Sequence, residues 1–161
     1  MEISKNSRVW IYQSNRPFNT QEQEAILSIL QGFTTTWEAH GSKLAAQAEI
    51  RYDRFIILMV DESQAGASGC SIDKSVSLMK EIEVKYKVSL FDRFNIAWRN
   101  NDAIFSCNRD EFETRISKGE ITPNTIVFNN LVQTVQELDI NWEIPFKNSW
   151  HSSVFGSFIN A

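Results

Sequence analysis

The apolar positions of the chain repeat with two periods, one near 3.6 residues and one of two. Residues 8–13, RVWIYQ, are rich in β-branched and aromatic side chains and predict a first strand. SNRPFN breaks it. Asn19 and Glu22 then stand at the spacing of a helix capping box, with Thr20 and Gln23 as a second register. Ile26, Ile29, Leu30, Phe33 and Trp37 follow at helical spacing, which predicts an amphipathic helix over 20–39 with Gly41 as its stop. In LAAQAEIRY (44–52), Leu44, Ala46, Ala48, Ile50 and Tyr52 alternate, the mark of a half-buried strand. RFIILMV (54–60) is apolar throughout and reads as a central strand. Only Asp53 separates these two runs, so they should form a tight hairpin. Ile72, Val76, Met79, Ile82 and Tyr86 mark a second helix over 71–87. Phe94, Ile96 and Trp98 alternate in a fourth strand (91–98), NND (100–102) is a turn, and AIFSC (103–107) a fifth strand.

The order through residue 98 is βαββαβ, the split-βαβ, ferredoxin-like arrangement. The expected class is therefore α+β, an antiparallel sheet with both helices on one face and a second face that needs cover. Downstream, Asn108 and Glu111 repeat the capping-box spacing and open a short helix ending near Gly119, and TIVF (125–128) is a short strand. The tail 141–158 carries Trp142, Phe146, Trp150, Phe155 and Phe158, while Pro145 argues against one continuous helix. So many aromatics in a polar tail imply docking, onto the open sheet face or onto a partner. The expectation is one domain over 1–161, with its core in 8–98 and an extension over 103–161.

Composition narrows the class. The chain has 161 residues, 42% hydrophobic and 22% charged, which is ordinary globular usage. No apolar run approaches the roughly 20 residues that span a bilayer, and MEISKNSRVW has no apolar signal stretch, so a cytoplasmic protein is expected. Cys70 and Cys107 are the only cysteines and have no CxxC spacing, which predicts free thiols rather than zinc ligands. A net charge of −4 without a Lys/Arg run argues against nucleic-acid binding by counterion release. No cofactor is expected. The partners that the sequence suggests are a small anionic ligand and a second copy of the chain.

DESQAGASGCSIDKS (61–75) joins the central strand to the second helix and concentrates the candidate chemistry. A Walker A loop needs G-x-x-x-x-G-K-[ST], whose glycines let backbone N–H groups wrap phosphate. Lys74 and Ser75 supply the final pair, but Ser68 and Asp73 stand where the two glycines belong. Asp73 also sets a negative charge against phosphate, so P-loop hydrolysis of ATP is not expected. Gly66, Ser68, Gly69, Cys70, Ser71 and Lys74 still form a small-residue loop at a helix start, able to offer N–H and hydroxyl donors to an anion. The plainer reading makes Gly66 and Gly69 a turn, Ser71 the helix cap, and Asp73 a partner for the helix dipole. Cys70 at a helix N-terminus is a candidate nucleophile, with His40 or His151 as its base. Against that, a cysteine in such a place commonly serves as a small apolar filler. Asp61 and Glu62 are candidates to orient a base or hold Mg2+, or are simply solvated.

VWIYQSNRPF, RFIILMVDESQAGASGCSIDKSV, TIVFNNLVQT and SWH resemble, across nearly the whole chain, a family of small bacterial proteins of about this length. Its members often carry the label "ABC transporter ATPase". That label implies a Walker A loop, an LSGGQ signature and a Walker B strand. LSGGQ is absent here, so no catalytic residue is carried over. The stretch EFETRISKGEITPNTIVF (111–128) is similar to GYF-type adaptor modules in its helix, Gly119 turn and strand, without the GYF triplet.

Two functional expectations follow. In the first, the 61–75 loop and the helix N-terminus bind a small anionic or phosphorylated ligand, and reactivity at Cys70 would make the protein an enzyme. In the second, the protein is a non-enzymatic interaction module that uses the open sheet face and the aromatic tail.

Overall fold

The computed structural model describes residues 3–159. It is an α+β protein with antiparallel sheets. The chain divides into two compact units, one comprising residues up to Phe91 together with Gln133–Gln136, the other Asp92–Val132 and the chain from Glu137 onward.

In the first unit, strand β1 (Arg8–Gln13) leads to helix α1 (Thr20–Thr36). Asn19 accepts the Glu22 N–H, and the Glu22 carboxylate accepts the Asn19 N–H at 2.9 Å, so the predicted capping box is present. The same carboxylate receives a two-pronged bond from Arg16 (2.9 and 2.8 Å), and Arg16 also donates to the Tyr86 carbonyl at 2.7 Å. One arginine thus ties the start of α1 to the end of helix α2 (Gly69–Tyr86). Helix α1 ends at Thr36, short of the expected 39, because a small hairpin intervenes: β2 (Glu38–Ala39) and β3 (Ser42–Lys43). Its turn residues His40 and Gly41 have φ of 52° and 78°, the positive pair that a two-residue hairpin requires.

Strands β4 (Ala45–Arg51) and β5 (Phe55–Asp61) form the expected hairpin, though three residues rather than one separate them. Tyr52 belongs to the turn, not the strand: Tyr52 and Asp53 both have positive φ (54° and 62°). The sheet order is β1-β5-β4, all antiparallel. Strand β5 is central, which explains its unbroken apolar run: Phe55 through Val60 are all buried. Ile56, Leu58 and Val60 pack with Ile26 and Leu30 of α1 and Met79 and Ile82 of α2.

The expected fourth strand does not join this sheet. Asp92 Oδ1 accepts the Phe94 N–H at 2.9 Å, and the resulting turn delays the strand to β6 (Ile96–Asn100). Strand β6 pairs with β7 (Ala103–Cys107) across a turn at Asn101–Asp102. It pairs on its other side with β8 (Ile126–Phe128), which in turn pairs with β9 (Glu143–Pro145). The single βαββαβ sheet over 8–98 is therefore replaced by a three-stranded sheet and, in the second unit, a four-stranded sheet of order β7-β6-β8-β9. Local closure favours this outcome, because a two-residue turn costs far less loop entropy than a return to β1. The edge of β1 is met instead by residues 133–135. The Val9 N–H donates to the Gln133 carbonyl and the Val135 N–H to the Ser7 carbonyl, both at 2.9 Å.

The second unit also holds α3 (Arg109–Ser117), α4 (Val135–Asn141, which begins in the first unit's segment) and α5 (Trp150–Phe155). Its core gathers Ile96, Trp98, Phe112, Ile116, Val127, Phe146 and Phe155. Phe112 is the hub, with ring centroids 5.1 Å from Phe155, 5.8 Å from Trp98 and 6.4 Å from Phe146. Trp142 packs edge-on against Phe128 at 5.1 Å. Trp142, Phe146 and Phe155 are buried, and Trp150 and Phe158 half-buried. The tail therefore supplies core to its own unit. Pro145 ends β9, an edge strand, where a missing N–H is tolerated.

Candidate functional site

The segment after β5 is closed by its own side chains. Asp61 Oδ1 accepts the Ser63 N–H at 3.0 Å, and this bond holds the Asp61 carboxyl below the usual range. The Glu62 carboxylate turns back along the loop and accepts the Ala67 N–H at 2.9 Å. A side chain at Gly66 would meet that carboxylate, since a Cβ there would lie 3.1 Å from Glu62 Oε2. Gly66 thus makes room for Glu62.

The helix cap is one turn earlier than expected. Ser68, not Ser71, is the N-cap of α2. Its Oγ accepts the Ser71 N–H at 3.2 Å, while Ser71 Oγ accepts the Ser68 N–H at 2.7 Å. Ser71 is buried, and the Trp37 indole N–H donates to its carbonyl at 2.8 Å. Ser75 is buried as well and donates to the Ile72 carbonyl at 2.6 Å.

Gly66, Gly69, Cys70 and Lys74 are exposed, and Ser68 is half-buried. Lys74 lies on the second turn of α2. With Phe33, Asp73, Ser77, Leu78 and Glu81 it lines an open groove of about 400 Å³ between α1 and α2. Strand β5 is antiparallel to both neighbours, whereas a phosphate loop follows a strand of a parallel sheet. We expect the purified chain to release no phosphate from ATP and Mg2+ by a route that Lys74→Ala removes. A Lys74-dependent ATPase would overturn this.

The two histidines fall in different surroundings. His40 is exposed in its hairpin turn, and no side-chain hydrogen bond joins it to Cys70. His151 belongs to the core of the second unit. Its ring stacks on Trp150 at 3.9 Å between centroids, and its Nδ1 lies 2.6 Å from Ser149 Oγ. Burial pushes its pKa down to about 4. Cys107 is buried, and burial first, then Glu111, pushes its thiol up to about 11. Among the described residues no three His, Cys, Asp or Glu side chains converge as a metal site, and the Glu62 carboxylate is engaged by the loop itself.

A feature of the second unit escaped the sequence reading. Trp98 and Phe105 stand directly opposite across the β6–β7 hairpin and stack at 6.0 Å with 27° between planes. The Arg115 guanidinium of α3 lies 5.3 Å from the Trp98 ring centroid. Two carboxylates hold it there, Glu111 at 2.8 Å and Glu120 at 2.9 Å. Trp98 is buried, yet Phe105 is 43% exposed although it shares Trp98's inward face. The signal was available: a two-residue turn at 101–102 pairs residue 98 with residue 105.

No protein-family model matches the chain, and neither a curated protein nor a solved structure matches it. No helix among the described residues is long and apolar enough to cross a membrane.

Proposed function

We propose that the chain is a non-enzymatic protein-interaction module whose contact surface is the Phe105 ledge of the second unit. The occupant is an extended segment of a partner protein that lays an apolar side chain on Phe105. The carrying observation is the exposure of Phe105, a large aromatic held rigid by its stack on Trp98. An aromatic of that kind is the usual anchor of an interface, because it offers much contact area at little entropy cost. The clamped Arg115 guanidinium supplies a polar margin beside it. Most of helix α3 and the whole of strand β8, which flank Trp98, fall within the stretch that is similar to GYF-type adaptor modules. The aromatic tail is not available for this role, since Trp142, Phe146 and Phe155 are core.

The anionic-ligand reading of 61–75 has less support. The Ala67 N–H faces the Glu62 carboxylate, and Ser68 and Ser71 satisfy each other. A bound anion would have to compete with Glu62 and sit near Asp61 and Asp73. Membership of the small bacterial family that the sequence resembles is part of the same proposal and assigns no residue a role. A cytoplasmic location suits the two free thiols.

The test is peptide selection on the full-length protein, followed by affinity measurement with Phe105→Ala. Loss of an exposed anchor should weaken binding of the selected peptides at least tenfold, about 1.4 kcal/mol. The melting temperature should change little, because Phe105 is not a core residue. Peptides that bind the variant as tightly as the original chain would reject the ledge.

A further inference from the structure

We propose that the groove between α1 and α2 is the interface of a symmetric homodimer, in which two copies of α2 pair antiparallel. The inference goes beyond the ledge and stands without it. It starts from three exposed features on one stripe of α2. Lys74 and Glu81 are both exposed, seven residues apart, and among the described residues neither has an ion-pair partner in its own chain. Seven residues are two helical turns, so the two charges lie on one face about 10 Å apart along the axis. Midway between them stand Ser77, small and exposed, and Leu78, half-buried beside Phe33 in the groove.

A two-fold axis passing between Ser77 and Leu78 has a definite consequence. It sets Lys74 of one copy opposite Glu81 of the other, and by symmetry repeats the pair. Ser77 lets the two helices approach closely, and each Leu78 faces the groove lined by Phe33. Val84 gives an independent reason for cover. At 82% exposure it is the most exposed large hydrophobic side chain of the described chain, and it lies two turns beyond Ser77 on the same stripe. In the antiparallel pair it meets the first turn of the second copy's α2, beside Cys70, a small thiol that is exposed in the single chain. Parallel pairing would set Lys74 against Lys74 and Glu81 against Glu81, so the charges choose the antiparallel arrangement.

The experiment is sedimentation equilibrium on the full chain and three variants. The original chain should sediment at twice its own mass. Lys74→Glu and Glu81→Lys should each weaken dimerisation at least tenfold, since each creates two like-charge contacts. The double variant Lys74→Glu/Glu81→Lys should restore it, because the exchanged charges again face each other. Both positions of the test are solvent-facing, and circular dichroism confirms folding of each of the three variants. A monomeric original chain overturns the proposal. So does a double variant that stays as dissociated as the single ones, or single variants that dimerise as the original does.

Discussion

Truncation of the chain before Asn141 is expected to unfold the second unit, seen as a melting temperature lowered by many degrees or as insoluble protein. The removed segment carries Trp142, Phe146 and Phe155, each almost wholly buried. Loss of one large buried aromatic costs about 3–5 kcal/mol. Three such losses reach the whole stability of a typical domain, about 5–15 kcal/mol. The truncation also removes β9, whose Ile144 pairs with Val127, so β8 keeps β6 as its single strand neighbour. Phe112→Ala gives a graded version of the same experiment. It empties the hub on which Trp98, Phe146 and Phe155 converge, and about 3–5 kcal/mol is expected from it. A truncated chain that melts like the full one would mean that the tail aromatics contribute no core, and the account of the second unit would fail.

The second large effect is on pH. His151 is buried among Trp150, Phe112 and Ser149, and its pKa falls from 6.5 to about 4 because burial disfavours the charged ring. The unfolded chain takes up a proton at this residue near pH 6.5, the folded chain near pH 4. Between those values the unfolded state binds more protons, so stability is full above about pH 6.5 and is lost as pH falls toward 4. The loss is on the order of 3 kcal/mol over that window, from 1.36 kcal/mol per pKa unit. The Arg16 fork and the Asn19 N–H hold the Glu22 carboxyl at about 2, so its contribution to the first unit fades below about pH 4.5. Amide exchange in β6 and β8 should therefore accelerate between pH 6.5 and 4.5 once intrinsic rates are divided out. In His151→Phe the same window should be flat. Protection in β6 and β8 that does not vary with pH in the original chain would contradict a buried neutral His151.

The largest elements were legible in the sequence because their signals are local. Asn19 and Glu22 announced the start of α1, and Asn108 the start of α3, since a cap needs only a side chain and an N–H three residues away. The unbroken RFIILMV run marked a strand with neighbours on both sides, and β5 is that strand. The alternation of Ala46, Ala48 and Ile50 gave the inward face of β4. The turn chemistry is less visible: Asp53 tolerates positive φ but Tyr52 does not favour it as the Asn of an Asn-Gly pair does, so the sequence marks a turn at Asp53 alone.

What the tertiary structure decided was which element meets which. Alternating Phe94, Ile96 and Trp98 say that a strand has one apolar face, and they are silent about the sheet it enters. The Asp92 turn and the short β6–β7 connection sent it to Phe105, Val127 and Phe112 rather than to β1. The candidate site changed for a related reason. Small residues in 61–75 looked open to a ligand, and only the folded loop reveals that the Glu62 carboxylate reaches Ala67 and that Trp37 pins Ser71. The chemistry of a polar group is written in its residue type. Whether it faces water, its own backbone or another molecule depends on contacts between residues far apart in the chain, and periodicity carries no record of those.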